Sequence, residues 1–272
     1  MRTRFAPSPT GDLHLGGALC AIASRAMARR AGGTFVVRME DLDRPRVVAG
    51  SADRILEDLD WLDCTEDEGP RKGGPLGPYV QSERIPMYER AIERLTARGM
   101  TYACDCSRAE IALVASAPHG EELVYPGTCR DKDASRVMRR PPAVRFRGAS
   151  DADDFVLRRG DGVFAYQLAV SVDDLAMAIS CVVRGADLAP STPRQLAIMR
   201  ALGAREDQHP AYVHLPLVVD VNGVRIAKRT AGARIRALRE AGIPTREVQE
   251  ALATSKDGHA FVIPDAWTRA GI

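Results

Sequence analysis

Along the first hundred residues, short β-branched runs alternate with longer stretches whose apolar residues recur every three or four positions. Residues 2–7 read as a strand, and Pro7-Ser8-Pro9-Thr10-Gly11 as a turn, since two prolines fix φ and remove donors. Residues 15–30, rich in Ala, Leu and Arg, read as a helix that Gly32-Gly33 ends. Thr34-Phe35-Val36-Val37-Arg38 is a strand by the same pattern. Ser51 or Asp53 then caps a helix whose Ile55, Leu56, Leu59 and Leu62 share one face. Strand, helix, strand, helix is the start of an α/β domain on a parallel sheet.

The pattern then changes. Residues 68–78 are dense in Gly and Pro and read as a mobile loop, and a helix over 86–98 stops at Gly99. Residues 101–140 break the alternation and hold three clustered cysteines, as an inserted subdomain would. Helix and strand signals resume over 143–147, 163–170, 178–183, 193–202 and 212–219, and two or three short helices fit in the remainder.

Composition narrows the picture. The hydrophobic share of 45% and charged share of 27% are those of a soluble globular chain, and 272 residues can bury a large core. No apolar run reaches the roughly 20 residues of a membrane span, and the first residues carry no secretory-type stretch. A cytoplasmic protein is the expectation. A net charge of +2 shows no electrostatic footprint for nucleic acid, although a local basic face is compatible with it. Of 38 basic residues only four are lysines, so a lysine in a motif is informative.

The candidate chemistry begins at residues 4–17, Arg4-Phe5-Ala6-Pro7-Ser8-Pro9-Thr10-Gly11-Asp12-Leu13-His14-Leu15-Gly16-Gly17. They join the first strand to the first helix, the edge at which open parallel sheets bind ligands. Helix-end amides suit a polyphosphate, the glycines admit a nucleotide close to the backbone, and His14 adds a donor. Neither the P-loop nor the dinucleotide-binding glycine pattern occurs.

Taken together these fourteen residues resemble the opening signature of the glutamyl/glutaminyl branch of class I aminoacyl-tRNA synthetases. The final position, often a second histidine in the class, is Gly17. The resemblance continues through Arg38-Met39-Glu40-Asp41-Leu42-Asp43, Phe164-Ala165-Tyr166-Gln167 and Val182-Val183-Arg184-Gly185. It implies a Rossmann-like class I catalytic domain that binds ATP through His14, Gly16, Gly17 and Lys228. Glutamate would lie among Arg4, Phe5, Ala6, Pro7, Ser8, Glu40, Tyr166 and Arg184. In that scheme Glu40 meets the amino group and Arg184 makes a forked contact to a carboxylate. Read without the resemblance, the acidic run is a solvated turn, Tyr166 a core aromatic and Arg184 a surface cation. Arg225-Ile226-Ala227-Lys228-Arg229 fills the place of the family's mobile lysine loop, with arginine for the first lysine and alanine for the serine. His14 and Lys228 are the implied catalytic residues.

Cys104, Cys106 and Cys129 make a tripod of thiols that favours zinc, with buried unligated thiols as the other reading. The spacing Cys-x-Cys followed by Tyr125-x-x-x-Cys129 resembles the zinc site of glutamyl-queuosine tRNA(Asp) synthetases, where the tyrosine is the fourth ligand. His119 or water is the alternative. A shell closed by four protein ligands implies structural zinc.

The resemblance divides the chain into residues 1–100 and 143–220 as the halves of the catalytic domain, 101–142 as the zinc-bearing insertion, and 221–272 as the lysine loop with short helices. Full glutamyl-tRNA synthetases continue into anticodon-reading domains, which this chain is expected to lack. The implied activity is tRNA-independent formation of glutamyl-adenylate from L-glutamate and MgATP, then transfer to the queuosine base of tRNA(Asp), by a monomer. A short conventional glutamyl-tRNA synthetase and a catalytically weak, zinc-bearing RNA-binding paralogue are the alternatives.

Overall fold

The computed structural model describes residues 1–107, 109–111, 125–149, 154–219, 234–253, 260–262, 264 and 267. In chain order the elements are β1 (Arg2–Phe5), α1 (Leu15–Arg30), β2 (Thr34–Val37), α2 (Ser51–Trp61), α3 (Ile85–Ala97), β3 (Thr101–Cys104), β4 (Ala143–Phe146) and β5 (Val156–Arg158). They continue as α4 (Tyr166–Ala176), β6 (Cys181–Gly185), α5 (Ser191–Ala201), β7 (Ala211–Leu215), β8 (Leu217–Val219), α6 (Ile235–Glu240), α7 (Thr245–Ala253) and β9 (Ala260–Val262). They form two compact units, one of Met1–Glu83, Met177–Pro190 and Pro210–Ile272, the other of Arg84–Ala176 and Ser191–His209.

The first unit is built on a parallel sheet in the order β2-β1-β6-β7. Side chains alternate between its two faces. Phe5, Phe35 and Val37 take one face and join the large core with Leu19 of α1 and Ile55, Leu56 and Leu59 of α2. Val36 and Val182 take the other, packed with Tyr79, Met177 and Ile179. Continuous apolar strands covered on both faces are the expected signature of a parallel sheet. The helix end at Gly32 has φ +57°, so glycine there meets no Cβ penalty.

Residues 68–78, read above as a mobile loop, carry no regular element but are firmly tied. Arg2 donates two hydrogen bonds to Glu68, at 2.7 and 2.8 Å, and the Tyr79 hydroxyl donates a third at 2.6 Å. A Cβ at Gly74 would meet that hydroxyl at 2.4 Å, which explains the glycine. Ser51 does not cap α2 as expected. Gly50 holds the N-cap position, and the Ser51 hydroxyl donates to the Gly11 carbonyl at 2.5 Å, clamping the signature turn.

The second unit combines an antiparallel sheet, β3-β4-β5, with α3, α4 and α5. Its interior contains a fully buried ion pair, Arg84 Nε to Asp173 Oδ1 at 2.6 Å, joined by the Tyr88 hydroxyl. No helix among the described residues is long and apolar enough to cross a membrane.

Candidate active site and cysteine cluster

His14 is the N-cap of α1, and its Nδ1 accepts the Gly17 amide at 3.0 Å. In the neutral imidazole the proton therefore sits on Nε2 while Nδ1 caps the helix. The first turn of α1 carries no acidic residue to offset the helix dipole. Cβ atoms added at Gly16 and Gly17 would meet the imidazole at 3.3 Å and Leu13 Cδ1 at 2.9 Å, respectively. At Gly17, the departure from the class signature, a side chain would press on the end of Leu13.

Register places the remaining charges. Arg4 pairs with Val36 on one side and Val182 on the other, while Val182 and Arg184 pair with Tyr212 and His214. Paired residues of parallel strands point to the same face, so Arg4, Arg184, Tyr212 and His214 share it. Arg38, one residue past β2 and two beyond Val36, follows the same alternation. Arg4, Arg38, Arg184 and His214 lie toward the C-terminal ends of the strands, and the sheet order reverses between β1 and β6, where open α/β sheets bind ligands.

Arg4, Arg38 and Arg184 are 4%, 0% and 3% exposed, which removes the reading of Arg184 as a surface cation. Glu40 lies 3.2 Å from the Arg38 guanidinium, and its amide donates to the Pro7 carbonyl at 2.9 Å. It is an enclosed carboxylate attached to the signature turn, not a solvated one. Arg184 Nε donates to His214 Nε2 at 3.4 Å, and burial, helped by Arg184, holds the His214 pKa below its ordinary value. The face can therefore receive carboxylates on guanidiniums and an ammonium on Glu40. Phe5 is buried in the core, while Ala6, Pro7 and Ser8 form the turn above it.

Lys228 and the rest of 220–233 lie outside the described residues. The chain that follows is anchored on the signature turn: Arg234 bridges His14, and the Ile235 amide donates to the Leu13 carbonyl at 2.8 Å. Tyr166 opens α4 in the second unit and is 36% exposed. Sequence reasoning passed over Arg38, Tyr212 and His214. The alternation Tyr212-x-His214 on a strand was the available signal.

The cysteine cluster lies in the second unit. The ligating atoms of Cys104, Cys106 and Cys129 all fall within 4.8 Å of one another, and Cys106 Sγ is 3.6 Å from Cys129 Sγ. The Tyr125 hydroxyl is 3.3 Å from Cys104 Sγ and 3.9 Å from Cys106 Sγ. Ligands about 2.3 Å from a tetrahedral zinc stand roughly 3.8 Å apart, so this donor set fits zinc in both spacing and softness. Cys104, Tyr125 and Cys129 are buried, as a closed structural shell requires. Burial raises the Cys104 thiol, but hydrogen bonds with Tyr125, Cys106 and Arg145 outweigh it and bring the pKa below normal. His119 lies outside the described residues. The other three cysteines are unpaired thiols, and burial pushes Cys64 up to about 12 and Cys20 up to about 11.

Comparison with known proteins adds an independent line. The family model described as tRNA synthetases class I (E and Q), catalytic domain, matches residues 1–120 and 128–255. A glutamyl-Q tRNA(Asp) synthetase of Nitratidesulfovibrio vulgaris is 46% identical over 99% of this chain and 89% of its own length. A glutamate–tRNA ligase of Anaeromyxobacter sp. is 41% identical over 89% of this chain but 54% of its own. Among solved structures, a glutamate tRNA ligase from Elizabethkingia meningosepticum in complex with its amino acid superposes with TM-score 0.72 at 29% identity. That match covers 90% of this chain, which spans only 53% of the ligase.

Proposed function

Since the chain belongs to the class I tRNA synthetases of the glutamyl and glutaminyl branch, and within it to the glutamyl-Q tRNA(Asp) synthetases, we propose that it activates glutamate with ATP and transfers it to the queuosine base of tRNA(Asp). One observation carries most weight: three buried arginines share a strand-end face, and Glu40, beside Arg38, is tied by its amide to the signature turn. A dicarboxylate amino acid needs such a donor array, with a carboxylate for its ammonium.

In the first step the glutamate α-carboxylate attacks the α-phosphorus of ATP, forming the acyl–phosphate bond as pyrophosphate leaves. Arg184 and Arg4 hold carboxylate oxygens, and Glu40 holds the ammonium. Ala6, Pro7 and Ser8 line the pocket, and the close backbone at Gly16 and Gly17 admits the nucleotide. His14 Nε2, the α1 amides and Lys228 stabilise charge on the phosphates, and catalysis is placement plus electrostatics. Magnesium bound with ATP supplies further phosphate neutralisation. A hydroxyl of the queuosine ring then attacks the activated carbonyl and AMP departs. Cys104, Cys106, Tyr125 and Cys129 would hold a structural zinc, which would supply cross-linking and no chemistry.

Glutamate-dependent exchange of pyrophosphate into ATP without RNA tests the first step, and the catalytically weak RNA-binding paralogue predicts none. Transfer of labelled glutamate to tRNA(Asp) with and without queuosine tests the second. Charging of tRNA(Glu), or of tRNA(Asp) regardless of the modified base, would instead establish a conventional ligase.

A further inference from the structure

Three thiolates, a phenolate and the buried Asp105 carboxylate would outnumber a divalent ion by three negative charges. An excess of that size is costly in a buried site unless cations stand beside it. Three guanidiniums do. Arg136 reaches two of the anionic groups with one nitrogen, Nη2, at 2.8 Å from Asp105 Oδ1 and 3.4 Å from Cys129 Sγ. Its Nη1 is 3.0 Å from Asp105 Oδ2, where Arg139 also donates from its amide, at 3.0 Å, and from Nε, at 3.3 Å. Arg145, on β4 and only 6% exposed, lies with its guanidinium 3.6 Å above the centre of the Tyr125 ring.

Arg145 is the informative member. Its Nε is buried with no hydrogen-bond partner among the described residues, an expensive arrangement for a residue that merely fills a strand position. The ring face beneath it attracts a cation, and the attraction grows when the ring oxygen is anionic. We infer that Arg145 and Arg136 are the charge-balancing residues of the metal centre. Arg145 makes a tyrosine serviceable as the fourth ligand, and Arg136 screens Cys129 from Asp105. A neutral fourth ligand would not need Arg145.

This inference rests on the zinc reading, and the experiment separates the two. Zinc content and affinity are measured on the whole purified chain by competition with a chromogenic chelator, for the parent and for R145M, R145K, R136M, R136K, Y125H and R145M/Y125H. A parent without bound zinc overturns the zinc assignment itself. With zinc in the parent, R145M and R136M should each bind it at least ~10-fold more weakly. The lysine variants keep the charge but not the stacked or forked geometry, so they should recover only part of the methionine loss, and Y125H should cancel most of the R145M loss. Affinity unchanged in R145M, lysine variants as weak as the methionine ones, or no relief from Y125H each overturns the arginine role. If R145M does not fold, the R136M and R136K pair decides by the same criteria.

Discussion

Arg4, Arg38, Arg184 and His214 meet on one sheet face although they are spread from position 4 to position 214, whereas the four candidate metal ligands lie within residues 104–129. Both regions are buried and rich in arginine. The strand-end face is held by backbone ladders that do not depend on the side chains they present. In the cysteine cluster the side chains themselves hold the local fold, through Asp105, Arg136 and the proposed metal. Substitutions on the face should therefore alter binding and rate while leaving the fold intact. Substitutions in the cluster should alter stability first.

The largest expected effect tests the cluster half of that contrast. Cys104→Ser removes a ligand from a site of a kind that contributes on the order of 10 kcal/mol of binding energy. Bound zinc should be lost and the melting temperature should fall together. Wild-type metal content in this variant would break the comparison. On the other side, Lys228→Ala should slow pyrophosphate exchange by about 10²–10³-fold at an unchanged melting temperature. An unchanged rate removes Lys228 from the mechanism. Arg184→Leu should chiefly raise the KM for glutamate, by about 100-fold, or roughly 3 kcal/mol of a charge-assisted contact. A normal KM moves the carboxylate site elsewhere.

The smallest effect contrasts two buried carboxylates. Asp105 is fully hydrogen-bonded to arginines, and Arg136 first among them holds it well below the usual carboxylate range. Asp58 on α2 has both oxygens without hydrogen bonds among the described residues, and burial pushes it up to about 6 against partial relief from Arg236. A carboxyl raised in the folded state binds more protons there than in the unfolded chain. Asp58 thus lowers stability above about pH 6 and ceases to do so as pH falls toward 4. Asp58→Asn should add about 1–2 kcal/mol at pH 7–8 and flatten the pH dependence of melting between pH 4 and 6. A variant less stable than the parent at pH 8 would refute this.

Much of the fold was legible because its determinants are local. Strand signals gave β1, β2 and β6, the Gly32-Gly33 stop and the apolar face of α2 held, and helices follow the lysine segment as expected. Among candidate site residues, His14, Glu40, Arg184 and the Cys-x-Cys with Tyr125 and Cys129 were visible as motifs. The clamp of Ser51 on Gly11, the ties that hold residues 68–78, and the pairing of β4 with β3 were not visible, because each joins positions distant in sequence.

The amino-acid sequence by itself determined which segments become strands and helices, where the signature turn lies, and which side chains bring thiol, imidazole and guanidinium chemistry. Tertiary structure alone decided that Arg38 and His214 join Arg4 and Arg184, and that arginines surround the cysteine cluster. Those outcomes depend on strand register and on which side chains burial forces into contact, and a linear pattern specifies neither.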